Sequence, residues 1–193
     1  MNMFYKPPCF VIIKNKKYAI ETDFRIFAEY EEEMQDRNEE KRKQAIAKVL
    51  SRFYPAFFEI IKNNLLEEAI NKFIWFYECG RKNYHKLKNG KGHKREEIYS
   101  FKYDDEYIYG AILEKYHIKT TVDYIHWWEF QAMLKSLGDC EFTKIKGYRA
   151  YNGKDKEMLE LKEYWTLPKA NWEEEEKRKA SIIEQLEAYG KEK

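Results

Sequence analysis

The grouping with the most catalytic character is His126, with Glu129 three residues after it and Asp123 three residues before it. On a helix this spacing brings an imidazole and two carboxylates to one face, within reach of acid/base or metal chemistry. A general base needs a cleft, a perturbed pKa and an oriented partner. A metal site needs three or four ligands, and here only two or three positions on one helix qualify. The expectation is therefore a satisfied, partly buried histidine near a helix N-terminus. Cys9, Cys79 and Cys140 lie 70 and 61 residues apart, which is neither a disulfide framework nor a zinc spacing. No neighbouring His or Lys marks a low-pKa nucleophile, so they read as inert, reduced thiols. Walker A, GxGxxG, GxSxG, HExxH and CxxC patterns are all missing from the sequence. No catalytic residue, cofactor or metal is expected, and the chain does not read as an enzyme.

Binding chemistry is better represented. From Arg81 to Arg95, seven Lys/Arg (Arg81, Lys82, Lys86, Lys88, Lys91, Lys94 and Arg95) occur in 15 residues without one acid. Tyr84, His85 and His93 are interleaved, so the segment could neutralise phosphates and stack on bases. Glu96, Glu97, Asp104, Asp105 and Glu106 follow closely, and a solvated linker compensated by that acidic cluster is the stronger reading. Nucleic acid is the alternative partner. The adjacent Trp127 and Trp128 could anchor a partner, but they lie within a continuous apolar stripe that favours core packing. Ile182, Leu186 and Tyr189 form a thin i, i+4, i+7 stripe suited to docking on one neighbour.

These residues must be held by helices. Only three valines and five threonines occur, against a large stock of Glu, Lys, Leu, Ala and Ile. The exception is the start, where Phe10 to Ile13 and Tyr18 to Ile20, separated by Lys14 to Lys17, read as a hairpin. Asp23 offers an N-cap for a helix carrying Ile26, Phe27 and Tyr30, which fades into the charged stretch Glu31 to Lys43. Ala45, Ile46, Val49, Leu50 and Phe53 recur at helical spacing until Pro55. A further helix places Leu66, Ile70, Phe73, Ile74 and Tyr77 on one stripe, with Gly80 as its stop.

In the second half, Asp104 to Tyr116 reads as a helix, and Thr120-x-x-Asp123 resembles a capping box opening another that runs to about Leu137. There Trp127, Phe130, Leu134 and Leu137 fall at i, i+3, i+7 and i+10. Phe142 to Tyr148 and Lys154 to Tyr164 read as shorter helices, closed by Pro168. Asn171 can cap a last helix with Glu173/Lys177, Glu174/Arg178 and Glu175/Lys179 pairs in the favourable order. The fold class is mainly α: a short N-terminal β-hairpin, a multi-helix body in two lobes and a charged C-terminal helix. The expected divisions are 1–80 (hairpin plus helices), 81–95 (basic flexible linker), 96–170 (helical C-terminal lobe) and 171–193 (terminal helix).

The 193 residues carry 36 Lys+Arg against 34 Asp+Glu and 33 aromatics, counting Phe, Trp and Tyr together. A chain with so many aromatics and a net charge of +2 is not the composition of disorder. No apolar run approaches the ~18 to 20 residues that a membrane span needs. Lys6, Pro7 and Pro8 stand where a secretion signal would need apolar residues, so a cytosolic location is expected. Near-neutrality argues against general nucleic-acid affinity unless charge is segregated.

The run Tyr99 to Ile118, the element Ile125-His-Trp-Trp-Glu-Phe130 with Ala132-Met-Leu134, and Thr143-Lys-Ile-Lys-Gly-Tyr-Arg149 together resemble a small bacteriophage tail-module family. Its members occur in long-tailed phages and prophages of low-GC Gram-positive bacteria. Thr22-Asp-Phe-Arg25 and Leu167-Pro168 also match, so the resemblance covers roughly residues 10 to 168. Ile125, where the family more often has Leu, and the extended charged stretch after Pro168 depart from it. Such proteins are typically encoded between the major tail protein and the tape-measure protein. The resemblance implies a non-enzymatic tail-assembly chaperone that keeps the helical tape-measure protein soluble until tail-tube subunits polymerise around it. It implies action in the host bacterial cytoplasm and absence from the mature virion. The major tail protein, a second copy of the chain and a short or frameshifted form are further candidate partners. No membrane is implied.

Overall fold

Strands β1 (Phe10–Ile13) and β2 (Lys16–Ala19) pair antiparallel, with Ile13 opposite Lys16 and Phe10 opposite Ala19. Only Lys14 and Asn15 connect them, and both have positive φ (44° and 65°). That is the backbone of a type I′ turn, whose twist matches that of paired strands. The pleat sorts these residues between two faces: Val11, Ile13 and Tyr18 face inward and are buried, while Phe10, Ile12 and Lys17 face out. Lys16 and Lys17 belong to β2 and not to the loop, because the turn closes immediately after Asn15. The computed structural model describes residues 6–34, 38–81 and 98–168.

Helix α1 (Phe24–Met34) opens after Asp23, whose carboxylate accepts from the Arg25 N–H at 2.9 Å. Helix α2 (Glu39–Phe53) takes its N-cap from Asn38, which accepts from the N–H groups of Glu40 and Lys41. It ends before Pro55, which has no N–H to continue the ladder. The chain then forms a short α3 (Phe57–Lys62) and, past Asn64 in the left-handed region, α4 (Leu66–Tyr77). Gly80 stops α4 with φ +64° and donates its N–H to the Trp75 carbonyl at 2.9 Å. A Cβ there would lie 2.9 Å from the Trp128 ring, so both the backbone and the space require glycine.

Four helices follow: α5 (Asp105–Tyr116), α6 (Trp127–Ser136), α7 (Glu141–Ala150) and α8 (Lys156–Tyr164). Helix α6 begins seven residues after Thr120, which is a departure from the expected capping box. Residues 119–123 form a turn instead, in which the Asp123 carboxylate accepts from Lys119 N–H at 2.7 Å. Among the described residues the protein is mainly helical with one two-stranded sheet. Buried residues on both sides of segment 82–97 form one continuous core, from Val11 to Phe142. At its centre Phe27 stacks on Phe73, Phe76 and Trp127 and meets Phe53 edge-on, with ring centroids 5.0 to 5.9 Å apart.

Candidate interaction surface

The two segments Thr22 to Arg25 and Ile125 to Trp128 meet across the molecule. Phe24 N–H donates to the Ile125 carbonyl at 3.0 Å, and Trp127 N–H donates to the Thr22 carbonyl at 2.8 Å. Asp23 and His126 thus form an antiparallel bridge just before helices α1 and α6. Arg25 locks the junction by donating to the Asp23 carboxylate at 2.7 Å and to the carbonyls of Thr120 and Asp123 at 2.6 and 3.0 Å. Tyr124 adds a hydroxyl contact to Thr22.

His126 is the N-cap of α6. Its Nδ1 accepts from Trp128 N–H at 3.0 Å, so the ring proton sits on Nε2 and is donated to the Pro8 carbonyl at 3.1 Å. Both nitrogens are engaged by backbone, Glu129 is exposed, and the Asp123 carboxylate faces Lys119. The three residues do not assemble a proton-transfer site. Burial pushes the imidazole below its ordinary value of 6.5, outweighing the upward influence of the Pro8 carbonyl and Glu129. The unfolded chain therefore binds the proton first, and protonating Nδ1 removes the cap. This contribution is complete above about pH 6.5 and declines as pH falls below it. Urea midpoints measured from pH 8 down to 5.5 should drop more steeply for the wild-type chain than for His126→Asn, which retains a capping acceptor. Parallel slopes would contradict the assignment.

Trp127 and Trp128 are core residues, 1% and 7% exposed. Their indole N–H groups donate to the carbonyls of Tyr77 (2.9 Å) and Phe76 (2.7 Å), stitching α6 to the end of α4. With both faces packed and both donors satisfied, neither is presented to a partner; as partner anchors they are corrected to core. Ile182, Leu186 and Tyr189 lie outside the described residues, as do Lys82, Lys86, Lys88, Lys91, Lys94 and Arg95. Arg81 is described and is exposed. The three thiols are free, and burial raises that of Cys79 above its usual range.

A polar seam escaped the sequence reading. Asp104 and Arg149, at 1% and 8% side-chain exposure, form a bidentate pair at 2.6 and 2.9 Å. Ser100 N–H also donates to Asp104 at 2.9 Å, and Arg149 Nε donates to the Trp165 carbonyl at 2.6 Å. The Ser100 hydroxyl continues the seam to Glu32 at 2.9 Å. Next to Glu32 on α1, Glu31 accepts from the hydroxyls of Tyr77 and Tyr99 at 2.8 and 3.2 Å. Burial raises the Glu31 carboxyl above the usual carboxylate range, against the lowering effect of those two hydroxyls. The available signal was Arg149 itself, which follows Phe142 and Ile145 at i, i+3, i+7 on a buried face. A cation on an apolar stripe demands a partner.

An outward apolar flank runs along α3 and α4. Phe58 is 86% exposed, and Ile61, three residues on, is exposed too. On α4 the buried positions are Ala69, Phe73 and Phe76, whereas Leu66 and Ile74 are exposed with half-buried Ile70 between them. The expected single stripe is thus split: Phe73 faces the core, and Leu66, Ile70 and Ile74 line its outer flank at i, i+4, i+8. Lys62, Glu67 and Lys72 border these positions in sequence. Among the described residues, no group of His, Cys, Asp or Glu could hold a metal ion, and no helix is long and apolar enough to cross a membrane.

The fold and its polar groups define a helical body in which histidine, tryptophans and the buried ion pair hold elements together, and in which an apolar surface is left outward. Residues 8–172 match the family described as bacteriophage Gp15 protein, and the chain belongs to that family. No curated protein and no solved structure matches it.

Proposed function

We propose that this phage protein is a tail-assembly chaperone that binds the helical tape-measure protein and keeps it soluble before tail-tube polymerisation. The observation that carries the reading is the outward apolar flank of α3 and α4: Phe58, Ile61, Leu66 and Ile74. A tape measure is a long helix with apolar stripes, an aggregation hazard until covered. An outward row at i, i+4, i+8 on α4 is the complement such a stripe needs, and charged neighbours keep the contact reversible. The 12 residues of α4 extend about 18 Å, enough to meet three turns of a partner helix. A chaperone of this kind acts in the cytoplasm of the bacterial host, here a low-GC Gram-positive one, and leaves before the virion is complete.

Co-expression with the tape-measure protein encoded beside it tests the reading. The wild-type chain should co-purify with the tape measure and raise its soluble fraction several-fold. The variant Phe58→Glu/Leu66→Glu/Ile74→Glu should keep its circular dichroism, because Phe58 is 86% exposed and Leu66 and Ile74 sit at the rim of the core rather than inside it, and lose the co-purification. A variant that still carries the tape measure removes this surface from the proposal; a wild-type chain that never does removes the chaperone role.

A further inference from the structure

The hairpin carries an open edge that the tape-measure reading does not use. In an antiparallel pair, residues alternate between those that exchange hydrogen bonds with the partner strand and those whose N–H and C=O point away. Here Ile20 N–H donates to the Cys9 carbonyl at 3.1 Å, which identifies Cys9 and Ile20 as a bonded pair. Two steps on, Val11 with Tyr18 and Ile13 with Lys16 share that parity. Phe10 and Ile12 therefore direct their backbone N–H and C=O groups out of the sheet on the β1 side. Neither residue has another hydrogen-bond partner among the described residues. Their side chains are exposed as well, Ile12 at 52%.

We infer that β1 pairs with β1 of a second copy of this chain, giving a symmetric four-stranded sheet. Three observations select this occupant. From Cys9 to Ile13 the strand has no charged residue, so two copies meet without like-charge contact. The β2 side bears Lys16 and Lys17, the charged edge that blocks further strand addition, so the assembly closes as a dimer. The register is self-complementary. Antiparallel pairing about Val11 sets Phe10 opposite Ile12 of the second copy and Ile12 opposite its Phe10, so each outward donor and acceptor finds one. All four of those side chains then lie together on the outer face, with Lys17, 4.0 Å from the Phe10 ring, at its border. Lys14 falls opposite Pro8 of the second copy and keeps its ion pair with Glu68.

Strands of four residues bury less than the ~1,600 Å² of a standard interface, so the dimer should be concentration-dependent. Sedimentation velocity of the full chain from micromolar to near-millimolar concentration should show a monomer–dimer transition. Ile12→Pro removes only the outward N–H and leaves the bonds to β2 in place. It should weaken dimerisation about tenfold or more. Ile12→Lys, which keeps the backbone and puts a charge on the edge, should do the same. Both variants should retain the near-ultraviolet dichroism of the tryptophan core. A chain that stays monomeric throughout overturns the inference, as does a dimer that survives Ile12→Lys with its dissociation constant unchanged.

Discussion

Replacing Arg149 by alanine should destabilise the fold by about 3 to 5 kcal/mol, because it strands a buried carboxylate. Asp104 is 1% exposed and receives both guanidinium N–H groups, at 2.6 and 2.9 Å. The remaining bond from Ser100 N–H cannot compensate a full charge out of water. The Trp165 carbonyl loses its 2.6 Å donor in the same step, freeing the chain after α8. Arg149→Lys keeps the charge but not the fork, so it should fall between wild type and alanine. Pairing the change with Asp104→Leu separates the cost of the orphaned charge from the worth of the bond. If the double variant is more stable than Arg149→Ala alone, most of the loss came from the unpaired carboxylate. Chemical denaturation of the variants measures each difference. A loss below about 1 kcal/mol for Arg149→Ala would show that water reaches the pair in solution.

The same ion pair shows what could be read in advance. Two short β-type runs on either side of Lys14 to Lys17 announced the hairpin, and 3.6-residue periodicity announced the helices. The pattern also held a misleading feature: Thr120-x-x-Asp123 has the spacing of a capping box, yet Asp123 caps a turn and His126 caps the helix. Local spacing cannot distinguish these, since both satisfy an orphan N–H with a nearby side-chain acceptor. On α4 the sequence offered more apolar residues than one face can bury. The small Ala69 proved to be central, which let Phe73 and Phe76 enter the core and turned Leu66 and Ile74 outward. Arg149 on an apolar stripe implied a buried partner, but nothing local could single out Asp104 among 34 acids.

The residues on which the sequence resemblance rests include several that hold the fold. Thr22 to Arg25 pairs with Ile125 to Trp127, and Arg149 reaches back to Asp104 and to the Ile98 carbonyl. Such residues are distinctive because several elements depend on each, and they are withdrawn from any partner for the same reason. The outward residues Phe58, Ile61, Leu66 and Ile74 carry no motif at all. The fold and the bacteriophage character of the chain were therefore legible in the sequence, while the outward apolar flank emerged only from the packing.

Trp127→Ala tests that division. The ring is 1% exposed and stacked at 5.0 Å on Phe27, 5.7 Å on Tyr77 and 6.1 Å on Phe130. Truncating a large buried aromatic costs about 3 to 5 kcal/mol. The Tyr77 carbonyl also loses its 2.9 Å donor, and for this part-buried acceptor the lost bond adds about 1 kcal/mol. Together these should lower the melting temperature by roughly 10 °C or more in a chain of this size. Trp127→Phe restores most of the stacking without the donor, so the gap between the two variants measures packing and the residual deficit measures the hydrogen bond. Tyr77 also donates to Glu31, so loss of the indole loosens one end of the polar seam and the alanine variant should show altered tyrosine fluorescence. A Trp127→Ala chain with an unchanged melting temperature but no affinity for the tape measure would make this ring a binding residue instead. The burial of the ring predicts the reverse order: stability falls first, and the proposed binding is lost only as far as the fold is lost with it.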